Sequence, residues 1–393
     1  MKTIYIVLPP YLPVPAVLGG AVETLVEMFI EENEKYHHFE IVLFSTWEVQ
    51  AEERSRGYQF TKFVYIKNKT KWSKCKYSIS RVFHKLFKAR PYCLDDYHRA
   101  VYQYLLQNPK PDMVIVEGGS CLDEFKRISG HIGKDRMLLH VHLNRTPSMS
   151  VTKIFGHMVG VSGFTTACWN KNQMFDHTYV LHNATCIDRF QNVQSGDIEC
   201  AREKLGFSKE DFVVLFCGRL IEEKGVKELI EAVLEIENPK IKLLLLGSSN
   251  FYGAKITAYQ QEIKKLAEGN ERIIFTGFVH NSKVPVYYGL SQLVAIPSVY
   301  EDPAPLVAIE GMAAGKPLLI TNSGGMPEYV SKKGSRIVRK ESGRLVENLE
   351  TNIEWFYNHP EECAQMGRIN LLEAEKYSEN RYYDGFSEII NRK

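Results

Sequence analysis

The sequence predicts two successive α/β units, each a doubly wound parallel sheet covered by helices, and three observations point that way. At 393 residues the chain exceeds what one ordinary core organises, so two domains of roughly 200 residues are expected. Short β-rich runs alternate with longer amphipathic stretches, which is the rhythm of a helix-covered parallel sheet. The alternation pauses at a polar segment, 191–211, and then restarts, which divides the strands into two series.

The first series comprises IYIVL (4–8), EIVLFS (40–45), FVYIK (63–67), DMVIVEG (112–118), RMLLHVH (136–142), and the weaker HMVGVS (157–162) and TYVLHN (178–183). The second comprises FVVLFCG (212–218), KLLLLGS (242–248), RIIFTGF (272–278), LVAIPS (293–298), KPLLITN (316–322) and RIVRK (336–340). Residues 1–190 and 191–372 are therefore expected as the two domains, with 191–211 as the hinge. Tyr382, Phe386 and Ile389 repeat at helical spacing and mark a closing helix within 373–393. Two such units facing one another would leave a cleft at the carboxyl ends of their strands, where ligands bind.

Composition excludes several classes. With 44% hydrophobic and 24% charged residues the chain reads as globular rather than disordered. The opening MKTIYIVLPPYLPVP is broken by Pro9, Pro10, Pro13 and Pro15, so its apolar run is expected to be a buried strand rather than a leader. No run reaches the roughly 18 apolar residues of a membrane span. Eight scattered cysteines without a CxxC pair predict reduced thiols and a cytoplasmic protein. Charge is uneven: residues 1–190 hold 24 basic against 18 acidic residues, a balance of +6, whereas the whole chain carries +2. Residues 62–90 contain ten Lys or Arg and no acid, with Ile79, Val82, Phe83, Leu86 and Phe87 at helical spacing. That is the pattern of a basic amphipathic helix on an anionic membrane surface, or of a core-facing helix with a solvated back. No nucleic-acid motif accompanies it, so nucleic acid is not an expected partner.

Two segments concentrate chemistry. FVVLFCGRLIEEKGVKELIEA (212–232) reads as a strand, a glycine turn at Gly218 and a helix from near Gly225. Arg219 and Lys224 sit at opposite ends of that loop, where a forked guanidinium and a compact ammonium can converge on one anion. In PSVYEDPAPLVAIEGMAAGKP (297–317), Pro303 and Pro305 suit the first turn of a helix, and Gly315 suits its end before Pro317. The free N–H groups in the stretch from Ala304 to Val307, in which Pro305 itself has none, would form an anion site. Glu310 lies one turn above Leu306, where its two oxygens can accept from vicinal hydroxyls such as those of a ribose.

GRLIEEKG, TGFV (276–279), IPSVYEDPAPLVAIEGMAAGKP and TNSGGMPEYV (321–330), in this order, resemble the retaining GT-B glycosyltransferases of family four. LPPYLPVPAVLGGAVETLV resembles that family's glycine-pair loop, HVH its histidine strand, and VLHNATCIDRF its Asn-Gly-Ile-Asp element. The resemblance implies two Rossmann-like domains, the first binding acceptor and the second donor, with a C-terminal helix crossing back to the first. It implies that Arg219 and Lys224 hold a donor diphosphate, that Glu310 holds the ribose, and that Phe278 and Val279 border the base. The turn from Asp302 to Val307 would face the transferred sugar and its phosphate, and Gly19 and Gly20 would let backbone approach the ligand closely. His142 would face the sugar, with His140 the lesser candidate because strand residues alternate. The family's first acid stands eight positions before the second, which selects Asp302, while Glu301 keeps the residue type one position away. Ala184 and Cys186 depart from the pattern, so only a turn is carried over at Asn183.

The implied reaction is transfer of a sugar from a nucleotide-diphosphate donor with retention, catalysed by Asp302, His142, Arg219 and Lys224. No DxD-like pair ends a strand, so no metal or cofactor is expected. The basic 62–90 segment directs the acceptor expectation to a polyprenyl-diphosphate-linked glycan at the inner face of the cell membrane, as in capsule or other surface-polysaccharide assembly. A soluble acceptor and a catalytically silent nucleotide-sugar-binding scaffold are the alternatives.

Overall fold

The computed structural model describes residues 1–67, 96–119, 121–171, 173, 175–248, 256–340 and 343–392. The basic stretch from Lys69 to Arg90, read above as membrane-facing, lies outside the described residues, as do Cys75 and Cys93. The six described cysteines are free thiols.

Every expected strand is present. The first sheet contains β1 (Lys2–Val7), β2 (Phe39–Thr46), β3 (Thr61–Ile66), β4 (Met113–Gly118), β5 (Met137–Val141), β6 (His157–Gly160) and β7 (His177–Val180), ordered β3-β2-β1-β4-β5-β6-β7. The second contains β8 (Phe212–Cys217), β9 (Ile241–Leu246), β10 (Ile273–Gly277), β11 (Leu293–Ile296), β12 (Leu318–Thr321) and β13 (Ser335–Val338), ordered β10-β9-β8-β11-β12-β13. All pairings among the described residues are parallel. In each sheet the chain winds outward one way, then returns to the middle and winds the other way. The reversals fall between β1 and β4 and between β8 and β11. At such a switch point the loops leaving the two neighbouring strands diverge and leave a crevice.

A parallel strand buried on both faces needs apolar residues at every position, and β8 shows why. Val214 and Phe216 join Leu229, Ile230 and Val233 of the helix Val226–Glu235 in one core. Val213 and Leu215 point the other way, into a core with Ala308 and Met312 of the helix Leu306–Ala313. In the first unit Val114, Val116, Leu139 and Val141 pack with Tyr97, Val101 and Leu105 of the helix Asp96–Gln107.

The chain divides into two compact units, Met1–Leu181 with Tyr383–Lys393, and His182–Tyr382. The polar segment expected as a hinge instead forms the helix Ser195–Lys204 inside the second unit. Ile198, Ala201 and Leu205 anchor one side of it against the core, and the polar majority faces water. The closing helix Glu379–Asn391 returns from Tyr383 onward to the first unit. There the Tyr383 hydroxyl donates to Asn33 Oδ1 at 3.0 Å, and the Phe386 ring lies 5.2 Å from that of Phe29. Phe386 is 2% exposed, so Phe386→Ala removes a full aromatic burial and should destabilise the first unit by about 3–5 kcal/mol. Chemical denaturation followed by hydrogen exchange in β1 and β2 measures this, and an unchanged transition would refute the packing role.

Candidate active site

In the second unit the site grows from the β8/β11 switch point. Gly218 closes β8 with φ 148°, and Arg219 beyond it is exposed with no ion pair among the described residues. A short 3-10 turn, Glu222–Lys224, then leads to Gly225. Gly225 has φ 67°, and a Cβ there would stand 2.0 Å from the Pro297 carbonyl oxygen. Only glycine permits this approach, and it seats the β8 loop against the β11 loop. The N–H groups of Val299 and Tyr300 donate to the Glu223 carbonyl at 3.1 and 3.3 Å and secure the same contact.

Lys224 is thereby placed beside Asp302, and its ammonium pairs with Oδ2. Asp302 is buried and also accepts from the Ser298 hydroxyl at 3.3 Å. Its backbone is wrapped by the turn after β12: its N–H donates to Ser323 Oγ at 3.2 Å, and its carbonyl accepts from the Gly325 N–H at 2.8 Å. Gly324, with φ 54°, leaves room for that wrap, because a Cβ would stand 2.3 Å from the Asp302 carbonyl oxygen. Glu301 turns elsewhere: Oε1 meets Lys340 at 2.6 Å and Oε2 accepts from the Gly324 N–H. The two adjacent acids thus serve different lysines.

The helix Leu306–Ala313 starts one residue past Pro305, which is its N-cap, so the prolines precede the first turn rather than occupy it. Pro305 makes no side-chain cap, and the Leu306 and Val307 N–H groups open the helix uncapped. Asn183 steadies this start, its Nδ2 donating to the Ala304 carbonyl at 3.2 Å while its N–H donates to the Tyr329 hydroxyl at 2.9 Å. Gly315, at φ 66°, ends the helix as the sequence predicts. Glu310 Oε2 accepts from the Tyr288 hydroxyl at 2.7 Å. Burial pushes the Glu310 carboxyl up, and Tyr288 and the Arg189 charge oppose that. After β10, Phe278 is half exposed, and Val279 packs on the core.

In the first unit the β1/β4 switch point holds Gly19 and Gly20, with φ 74° and 108°, ahead of the helix Ala21–Tyr36. Glu23 folds back so closely that a Cβ on Gly20 would stand 2.1 Å from its Oε2. Beside the same strand ends, Glu117 Oε2 lies 2.7 Å from His142 Nε2 and 3.0 Å from His140 Nδ1. The expectation ranked His140 below His142 on strand alternation, but residues two apart on a strand share a face, so both rings turn to one carboxylate. The strand β5 ends at Val141, and just beyond it the His142 N–H donates to the Gly118 carbonyl at 3.1 Å. The ligand atoms of Glu117, His140 and His142 all lie within 4.8 Å of one another, the only such group among the described residues. The His142 contact is a hydrogen bond, whereas His140 Nδ1 approaches the same oxygen as an electrostatic neighbour without hydrogen-bond geometry.

These charges set opposite protonation states for two nearby acids. Burial pushes Glu117 up, but His140 and His142 together outweigh it and hold the carboxyl at about 2. Glu23 has no such partner: burial raises it to about 7, and the Glu117 charge adds to the rise against its own backbone N–H. Sequence reasoning named His142, Lys224, Asp302 and Glu310 as candidates, and the structure adds side chains it did not name beside them: Glu117 on His142, Glu23 near Glu117, Tyr288 on Glu310 and Lys340 on Glu301. Glu117 was legible only as an acid next to last in an otherwise apolar strand, MVIVEG.

Two sheets with these connections define the fold of the GT-B glycosyltransferases. HepE of Anabaena, solved in complex with UDP and glucose, superposes with a TM-score of 0.76 at 17% identity over 99% of both chains. Residues 197–370, nearly the whole second unit, match the family described as glycosyl transferases group 1. An uncharacterized glycosyltransferase of Methanocaldococcus jannaschii is 33% identical over 130 residues, 33% of this chain and 32% of that protein. The lipopolysaccharide 1,2-N-acetylglucosaminetransferase of Salmonella typhimurium is 24% identical over 225 residues, 56% of this chain and 57% of that protein. The chain thus covers from a third to somewhat over half the length of these relatives.

A carboxyl raised in the fold contributes stability that is complete below its unfolded value of 4.5 and lost as pH rises toward 7, where Glu23 ionises. Glu23→Gln should therefore stabilise the first unit at pH near 8 by up to about 3 kcal/mol, with the gain vanishing near pH 4. Melting curves of both proteins across that range test this, and a difference independent of pH would contradict it.

Proposed function

We propose that the chain is a retaining glycosyltransferase that takes a sugar from a nucleotide-diphosphate donor. The observation that carries this is Lys224, held by Asp302 at the β8/β11 switch point beside the uncapped start of Leu306–Ala313. An ammonium has three donors, and Asp302 uses one, which leaves capacity for a diphosphate oxygen. As the bond from the anomeric carbon to the phosphate oxygen breaks, negative charge collects on that oxygen. Lys224, Arg219 and the Leu306 and Val307 N–H groups stabilise it. The acceptor hydroxyl forms the new bond on the same face, and its proton passes to the departing phosphate oxygen. Glu310, oriented by Tyr288, takes the ribose hydroxyls, and Phe278 borders the base. HepE's complex with UDP and glucose supports a nucleotide sugar as ligand. Asp302 acts chiefly by positioning Lys224. These cations stand in for a divalent metal.

A thermal-shift panel of nucleotide sugars should identify the donor, because a ligand at 100 times its Kd stabilises the folded state by about 2.7 kcal/mol. Lys224→Ala should keep the fold but lose about 100-fold or more in turnover, with wild-type turnover persisting in excess chelator. Normal turnover by the variant would remove the diphosphate assignment.

For the acceptor we propose a lipid-linked oligosaccharide of surface-polysaccharide assembly. Support comes from the run of ten cations between residues 62 and 90 and from the similarity to a lipopolysaccharide transferase. No helix among the described residues is long and apolar enough to cross a membrane. In flotation assays the protein should associate with vesicles containing anionic phospholipid and not with neutral ones. Equal behaviour on both, with activity only on soluble acceptors, would reverse this reading.

A further inference from the structure

We propose that Glu117 is a positioning residue for His142: its carboxylate, clamped between two imidazoles, fixes the His142 ring so that Nε2–H is donated inward and Nδ1 is left as a bare acceptor. The inference rests on the reading of His142 as a sugar-facing residue and adds which hydrogen-bonding polarity it presents.

Glu117, next to last in β4, is 3% exposed, so its charge needs partners within the protein. An ionised carboxylate only accepts hydrogen bonds, so at 2.7 Å the Nε2 of His142 must carry the proton. His140 closes the other side of the carboxylate, with its ring 4.2 Å from that of His142, and Phe386 packs 5.2 Å away on His140. The His142 N–H bond to the Gly118 carbonyl fixes the backbone at the same point, so both ends of the side chain are held. Of the three, His142 alone keeps measurable side-chain exposure, 10% against 0% for His140 and 1% for Glu117. His142 makes no other side-chain hydrogen bond among the described residues. Burial, with the neighbouring His140, lowers the His142 pKa, and Glu117 only partly opposes this. Glu23 is the further titratable group that senses the Glu117 charge.

A neutral ring with its proton on Nε2 accepts a hydrogen bond at Nδ1 and cannot donate one there. It therefore suits a sugar hydroxyl and not a phosphate or carboxylate oxygen. On this assignment His142 orients a hydroxyl-bearing ring and takes no part in protonating the leaving group.

The test is the tautomer itself. In protein labelled with 15N at its histidine rings, His142 is identified by the signals lost in His142→Gln. The expected wild-type pattern near pH 7.5 is a protonated Nε2 and an unprotonated Nδ1. In Glu117→Gln the His142 ring signals should move toward a tautomer mixture. Turnover should fall about 10- to 100-fold, the scale of lost ring orientation at other sites, while KM for the nucleotide sugar changes less than about twofold. Glu117→Asp, which keeps the charge, should recover part of the loss. A wild-type ring protonated at Nδ1, or ring signals unchanged in Glu117→Gln, overturns the proposal. Should Glu117→Gln fail to fold, the wild-type tautomer alone decides. Because that readout needs no turnover, a chain inactive on every nucleotide sugar would sink the functional reading and leave this one to the ring signals.

Discussion

Gly225 approaches the Pro297 carbonyl more closely than any side chain would allow, and the arrangement at the second unit's switch point depends on that contact. Adjacent parallel strands bring β8 and β11 to the same edge, but their loops still have to be held against one another. With Gly225 in a left-handed turn, the Glu223 carbonyl receives two N–H groups of the β11 loop, and Lys224 is delivered to Asp302. Asp302 is in turn gripped along its backbone by Ser323, Gly324 and Gly325, which follow β12. Three consecutive strand ends are therefore coupled through one ion pair. A partly buried pair of this kind adds little net stability once desolvation is counted, so placement of the ammonium is its more consequential effect.

The first unit solves a different electrostatic problem. Glu23 and Glu117 are both buried near one switch point, and two uncompensated carboxylates cannot both remain ionised there. The imidazoles favour ionisation of Glu117, and its charge in turn favours the proton on Glu23. The acid that accepts from a histidine and the acid that keeps its proton are thus separated by environment and not by residue type.

All thirteen described strands were legible in the sequence, because a doubly wound sheet requires unbroken apolar runs and these stand out against polar helices. The candidates Lys224 and Glu310 stood out for local reasons: Lys224 follows a strand and glycine turn, and Glu310 is the one charge in an otherwise apolar helix opened by prolines. What the sequence concealed was pairing between distant segments. Glu117 and His142 are brought together by the β4–β5 pairing, and Glu301 and Lys340 by the order of β11, β12 and β13. The helix Ser195–Lys204 was hidden behind its polarity, since three apolar contacts suffice to hold a helix whose other face is solvated.

Position counting selected Asp302 over Glu301, and the side chains give that selection a physical meaning. Asp302 is buried and committed to Lys224 and Ser298, whereas the Glu301 side chain keeps 45% of its surface exposed while bound to Lys340 and a backbone N–H. A shorter acid at 302 keeps its carboxylate close to the backbone, where the β12 turn already grips it, so the charge reaches the lysine and no further. Under the proposed function the two units present different chemistries. The second unit presents cations and unbonded N–H groups, which suit a diphosphate. The first presents an imidazole whose only unassigned nitrogen accepts, which suits a neutral sugar hydroxyl.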